Sequence, residues 1–272
     1  MSVFYTNIQL AGDTILYRGI KNGEPVQFRC NFSPTLYVLS NKSEKFKTLD
    51  GRSVTPMEFE SARKAREFIQ QYDGVEGFEV HGYERFVYQW IRREFPGEVD
   101  YDMNQMKIFA MDIEVQSENG FPNVDEAAEE MLSITIKDMV TKKYYSWATR
   151  EFTPPDGVEA FIFWTENEML NHFINWWTQN TPDILTGWNV NLYDVPYIAR
   201  RISRVLGDKW MKSLSPWNRA NEREVYVQGR KNYAYDISGV NILDYLDLYK
   251  KFTYTNQESY RLDHIAFVEL GQ

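Results

Sequence analysis

The chain has 272 residues, a formal net charge of -9, 43% hydrophobic and 16% aromatic side chains, enough for one large or two modest cores at ~150 residues per domain. Cys30 is the lone cysteine, which excludes internal disulfides and thiolate zinc clusters; any bound metal must use oxygen ligands, favouring Mg²⁺ or Mn²⁺. The start lacks a basic segment leading into an apolar one, and no stretch approaches the roughly 18 apolar residues of a membrane span, so a cytosolic protein without a membrane partner is expected.

Short aromatic and β-branched runs at 3–10, 14–20, 25–30 and 35–39, separated by Gly, Asn and Pro turn signals, predict a four-stranded β-meander. Helical spacing of Phe59, Ala62, Ala65, Phe68 and Ile69 predicts a helix over 57–72, stopped near Gly74. The polar run 96–105 reads as a boundary, giving an α+β N-terminal domain over 1–105 and a second domain over 106–272. There, strands are predicted at 107–115, 132–136 and 144–147. Thr165-Glu-Asn-Glu168 has the form of a capping box opening a helix to about 179. A buried strand at 183–187, a helix over 194–206 ended by Gly207 and a strand at 240–244 follow, with a β-hairpin over 223–237 whose tip holds Gln228, Gly229, Arg230 and Lys231. The fold class is α/β with a mixed sheet in the second domain.

Within the strand at 107–115, Asp112 and Glu114 share one face while Met111, Ile113 and Val115 share the other. Two adjacent anions on a β-prone run repel each other, and a divalent cation between them removes that cost. A third acid, Asp194, follows Gly187-Trp-Asn189-Val-Asn191-Leu-Tyr193, where a buried strand ends and a helix begins. Such a position lies in the crevice at a strand's C-terminal end, and a helix N-cap is the competing structural reading. Charge is unevenly spread: 112–168 carries 4 basic and 13 acidic side chains, whereas 199–261 carries 12 and 7. Carboxylates for cations beside Arg and Lys for phosphates suit a phosphodiester enzyme; solvated faces are the plainer reading.

Asp112-Ile-Glu114 and Asn189-Val-Asn-Leu-Tyr193-Asp194-Val-Pro-Tyr-Ile198 together resemble the first two exonuclease motifs of family B DNA polymerases. The text after Asp112, Gly187-Trp-Asn and Asp244-Tyr-Leu-Asp-Leu-Tyr-Lys-Lys-Phe252 resembles the replicative polymerases of T-even-type bacteriophages, across most of the chain and loosest in 1–100. The resemblance implies a ribonuclease H-like 3′→5′ proofreading domain in the cytoplasm of an infected bacterial host. It implies two divalent ions, Mg²⁺ or Mn²⁺, held by Asp112, Glu114, Asp194 and a fourth acid. Phe121 and Asn189 match positions that hold the single-stranded 3′ end, and the 223–237 hairpin matches one that helps part primer from template, with Arg230 and Lys231 placed to meet phosphate. Implied partners are a single-stranded DNA 3′ end, primer-template and the rest of the polymerase and replisome, with RNA a further candidate at the N-terminal domain.

The family's third motif, Tyr-x-x-x-Asp, supplies the fourth acid and a tyrosine, and no such sequence occurs in 1–272. Asp247 and Asp263 are the substitutes at hand, each without the tyrosine, and polymerisation is expected to lie outside this stretch. Apolar surface is expected on the last helix, 262–270. His81, His172 and His264 match no ligand or triad spacing and are read as structural; Trp164, Trp176 and Trp177 are read as core. Three readings compete: a proofreading exonuclease, a catalytically inert nucleic-acid-binding module, and a different ribonuclease H-like nuclease such as one of recombination.

Overall fold

A computed structural model describes residues 3–82, 85–117, 120, 122–227 and 229–271. The chain divides into two compact units, Met1–Asp102 and Met103–Gln272. Among the described residues no helix is long and apolar enough to cross a membrane.

In the first unit, β1 (Val3–Ala11), β2 (Thr14–Lys21) and β3 (Glu24–Asn31) form an antiparallel meander. The predicted fourth strand, β4 (Thr35–Leu39), leaves it. It lies in a second sheet with β5 (Phe46–Lys47), β6 (Ser53–Glu58) and β7 (Val80–His81), ordered β5-β6-β4-β7. The linker 32–34 explains the departure: Phe32 is buried, its N–H bonds the carbonyl of Asp13, and Pro34 has no N–H to offer a tight hairpin. Helix α1 is also shorter than predicted, Ala62–Tyr72. Met57 belongs to β6, opposite Leu36, and Ser61 caps the helix on the N–H of Lys64. Phe59 mimicked a helical position because it packs on Phe68 from outside the helix, ring centres 5.1 Å apart. Helix α2 (Val87–Glu94), unforeseen in the sequence, completes the unit and buries Trp90.

The second unit is built on a six-stranded mixed sheet ordered β11-β10-β9-β8-β12-β15. Its strands are β8 (Ile108–Val115), β9 (Met131–Asp138), β10 (Tyr144–Ala148), β11 (Val158–Ile162), β12 (Ile184–Gly187) and β15 (Asn241–Asp244). β9 is antiparallel to both β8 and β10, while β12 runs parallel to both β8 and β15. Two packed helices, α3 (Glu166–Asn180) and α4 (Asp194–Leu206), bury their apolar stripes in the core that holds Phe109, Met111 and Ile113 of β8. A short helix α5 (Asp208–Lys212) leads to the hairpin β13 (Ala220–Val227) and β14 (Arg230–Ile237), and α6 (Tyr245–Phe252) and α7 (Leu262–Leu270) follow β15. A mixed sheet backed by helices in this order is the ribonuclease H-like arrangement.

Two local readings are realised: the capping box, with both Thr165–Glu168 bonds present, and the end of α4 at Gly207, whose φ is +101°. One tryptophan is not. Trp177 is buried, but Trp164 is 88% exposed, because it follows edge strand β11 and precedes α3 rather than lying on the helix. His172 is structural as read, accepting the Trp147 indole N–H at 2.9 Å. The apolar surface expected on α7 is present at Leu262, Phe267, Val268 and Leu270.

Gly187 fixes how closely β12 approaches β8. A Cβ there would stand 2.6 Å from the carbonyl oxygen of Met111, a backbone atom next to Asp112. Gly187→Ala is expected to cost about 1–3 kcal/mol by forcing the strands apart, read as a lower midpoint in thermal unfolding.

Candidate active site

The strand pattern delivers the first two acids. Met111 and Ile113 are buried against the helices while Asp112 and Glu114 face out, at the C-terminal end of β8. The parallel strands β12 and β15 end beside it at Gly187 and Asp244, which pair in register. This is the crevice in which open α/β sheets carry their chemistry.

The third acid arrives through a turn. Asn189 takes a left-handed conformation, φ +62°, and its carbonyl accepts the N–H groups of Leu192 and Tyr193. Asp244 holds this turn from below: Oδ1 accepts the N–H of Asn189 at 3.0 Å and of Leu246 at 2.9 Å, and Oδ2 that of Asn191 at 2.9 Å. The turn sets Asp194 as the first residue of α4. It is not the N-cap, a place taken by Tyr193 without a side-chain cap bond. The capping reading fails on position, and the Asp194 carboxylate reaches beyond its own helix: Oδ1 accepts the N–H of Ile113 at 3.1 Å, between Asp112 and Glu114 in sequence.

Burial and neighbouring charge set the electrostatics of these groups. Asp194 is 3% exposed. Burial, then the charge of Asp112, pushes its pKa up to about 7, with the Ile113 N–H opposing and Asp244 adding to the rise. Asp112 reaches solvent, yet desolvation by the packed atoms at its base also raises its pKa. The Tyr193 phenol is pushed up to about 12 by burial and by the charges of Asp194, Glu114, Asp112 and Glu129. Asp247 and Asp263 are in neither set of neighbours; both are exposed, on α6 and α7.

Three carboxylates with no nitrogen or sulfur donor suit a hard divalent cation, which would relieve the burial and repulsion that lift Asp194. Among the described residues, no three carboxylate, imidazole or thiolate groups close into a cage by themselves. The chemistry of the donors fits such an ion; a finished cage is absent.

The other candidates are placed as follows. Asn189 is half-buried at the turn itself. Phe121 and Gln228 lie outside the described residues. Gly229, φ +77°, and Arg230 stand at the hairpin tip, where Val227 pairs with Arg230. Lys231 is exposed and bonded to Glu224 and Tyr233, which raises its pKa. Much of the basic excess in 199–261 is likewise bound internally: Arg200 to Asp125 and Glu222, Arg201 to Glu166 and Arg223 to Asp236.

Sequence reasoning missed the anchoring role of Asp244 and the presence of Tyr193 among the acids. An Asp directly between a strand and a helix is a recognisable cap signal; its second task, holding the turn at Asn189, depends on β15 lying beside β12.

A family model described as DNA polymerase family B, exonuclease domain, matches residues 87–265. The chain is 30% identical to the DNA-directed DNA polymerase of Escherichia phage RB69, over 100% of its own length and 33% of that protein's. It is 30% identical to the DNA-directed DNA polymerase of Enterobacteria phage T4, over 98% of its own length and 32% of that protein's. A more distant relative is the DNA polymerase catalytic subunit of Human herpesvirus 7 (strain JI), 23% identical over 92% of this chain and 26% of that one. The chain therefore spans about a third of the length of the phage relatives it matches.

Proposed function

The chain belongs to the family B DNA polymerases and carries the exonuclease region found in T4-like phage polymerases, and from that premise we propose that it removes nucleotides from a single-stranded DNA 3′ end by metal-dependent hydrolysis. The observation that carries this reading is the bond from Ile113 N–H to Asp194, which draws a buried carboxylate onto the strand that bears Asp112 and Glu114.

Asp112, Glu114 and Asp194 would hold two divalent ions, Mg²⁺ or Mn²⁺, with phosphate oxygens of the substrate completing what the three carboxylates leave open. When bound, such ions would supply Lewis-acid chemistry, lowering the pKa of an attacking water and offsetting negative charge on the departing 3′-oxygen. The chain's own part is to orient. Asn189 and Phe121 hold the terminal nucleotide, the former at the turn that delivers Asp194. Gly229, Arg230 and Lys231, at the hairpin tip, meet primer-template, with Gln228 a further contact to it. The remaining partners are the rest of the polymerase and the replisome, in the cytoplasm of an infected bacterium, with RNA a candidate at the first unit. The exposed apolar side chains of α7 are a surface on which the rest of the polymerase would pack.

One observation favours the inert binding module instead: among the described residues the acids do not close a three-ligand cage. A 5′-labelled single-stranded oligonucleotide incubated with Mn²⁺ separates the readings. The wild type is expected to shorten it from the 3′ end, weakly, and Asp112→Ala to leave it intact. Equal shortening by both, or none by either with a gel shift retained, would establish the binding module.

A further inference from the structure

The stretch 122–130, which joins the region after Glu114 to β9, has no helix or strand, yet the carbonyls of Val124, Glu126, Ala127, Ala128 and Glu129 all find side-chain donors. One face of α4 collects them. Tyr197 Oη donates to the carbonyl of Glu129 at 2.8 Å. Arg200 Nη1 donates to Val124 at 2.7 Å, and Arg201 Nη1 to Ala127 at 3.1 Å and Ala128 at 2.8 Å. Arg204 Nη1 donates to Glu126 and Ala127, both at 3.1 Å. Residues 197, 200, 201 and 204 lie three and four apart, the spacing of one helical face.

Irregular backbone next to a core must find donors for its carbonyls, and a guanidinium offers five N–H groups in a rigid fork. The anchoring is secured behind the face as well. Arg201, 7% exposed, forms a two-pronged pair with Glu166 at 2.6 and 2.7 Å, and Glu166 Oε1 also accepts the N–H of Met131, where β9 begins. Arg200 pairs with Asp125 on the stretch and Glu222 on β13, and its guanidinium stands 4.8 Å from the ring centre of Tyr233 on β14. The stretch carries Asp125, Glu126, Glu129 and Glu130, so it gathers four negative charges that these cations offset.

We propose that Arg200, Arg201 and Arg204 are positioning residues for substrate binding: they lock 124–129 onto the helix that begins with Asp194, so that this stretch forms a preset wall along which the DNA 3′ end lies. This rests on the exonuclease reading for its substrate, though not for the locking itself. Neither the three carboxylates nor their charges depend on the lock, so losing it should weaken binding and spare turnover.

Arg200→Gln and Arg204→Gln test this, leaving the buried Arg201 in place so that the fold is kept. Two readouts are needed. Native-state cleavage by a glutamate-specific protease at Glu126, Glu129 or Glu130 is expected to rise about tenfold in each variant and to return towards wild type in Arg204→Lys. In the oligonucleotide assay, KM is expected to rise about tenfold with kcat within about twofold. Unchanged proteolysis, or a fall in kcat at constant KM, overturns the proposal. If the wild type hydrolyses nothing, the exonuclease reading fails alone, and proteolysis together with oligonucleotide affinity still decides the lock: increased cleavage with affinity about tenfold weaker supports it, and any other combination overturns it.

Discussion

Asp194→Asn is expected to make the protein more stable at pH 8 in EDTA while lowering 3′-nucleotide release by at least about 10²-fold, comparable to losses seen when groups that hold a metal site or a transition-state charge are removed. The stability arm follows from the sign of the shift. In the folded chain Asp194 has its pKa pushed up to about 7, against an ordinary value of 3.8. Between those values the native state binds the proton that the unfolded state has released, so stability is full below about 3.8, declines as pH rises, and is lowest above about 7. The cost at pH 8 is on the order of a few kcal/mol. Asparagine has no charge to bury and its Oδ1 can still accept the Ile113 N–H. A rise in melting temperature of roughly 5–10 °C at pH 8 is therefore expected, shrinking towards pH 4. Adding Mn²⁺ should narrow the gap by stabilising the wild type alone. Equal melting temperatures at pH 8 would mean that Asp194 is not held charged against its surroundings.

Asp244→Ala is expected to have the larger structural effect, about 3–5 kcal/mol, because it strands three backbone donors at once, those of Asn189, Asn191 and Leu246, and removes the cap of α6. Exonuclease activity should fall with it, although none of the three site carboxylates is touched, since Asp194 is delivered by the turn that Asp244 holds. The same change removes one of the charges that raise the pKa of Asp194. The pH at which Asp194 titrates should therefore move down. Asp244→Asn should lie between: its Oδ1 can serve Asn189 and Leu246, while its amide faces the N–H of Asn191. Chemical denaturation gives the first quantity and carboxylate NMR the second. A stable Asp244→Ala with wild-type activity would show that the turn holds itself.

These two residues also mark what was legible in the sequence. Asp194 could be read because its signals are local: a buried strand, a polar turn, Pro196 in the first helical turn and Gly207 at the end, so the predicted helix has the observed bounds. The second role of Asp244 could not, since it depends on two strands distant in sequence lying side by side. The same division runs through the fold. The capping box at Thr165 and the alternation either side of Gly229 are short-range patterns and were realised. The defection of β4, the strand at Met57 and the exposure of Trp164 were decided by partners elsewhere in the chain: Asp13, Leu36 and the edge position of β11. At the site, carboxylate identities came from the text around them. The bond that unites them, Ile113 to Asp194, spans 81 positions and is a property of the folded sheet.

The central claim is that Asp112, Glu114 and Asp194 together hold divalent ions against a DNA 3′ end. Its most direct test is a Mn²⁺ titration of the chain bound to a single-stranded oligonucleotide with a non-hydrolysable 3′-terminal linkage, following free Mn²⁺ by electron paramagnetic resonance. Uptake of two ions per chain by the wild type and of none by Asp112→Asn/Asp194→Asn is expected. Equal uptake by both proteins, or none by the wild type, would contradict it.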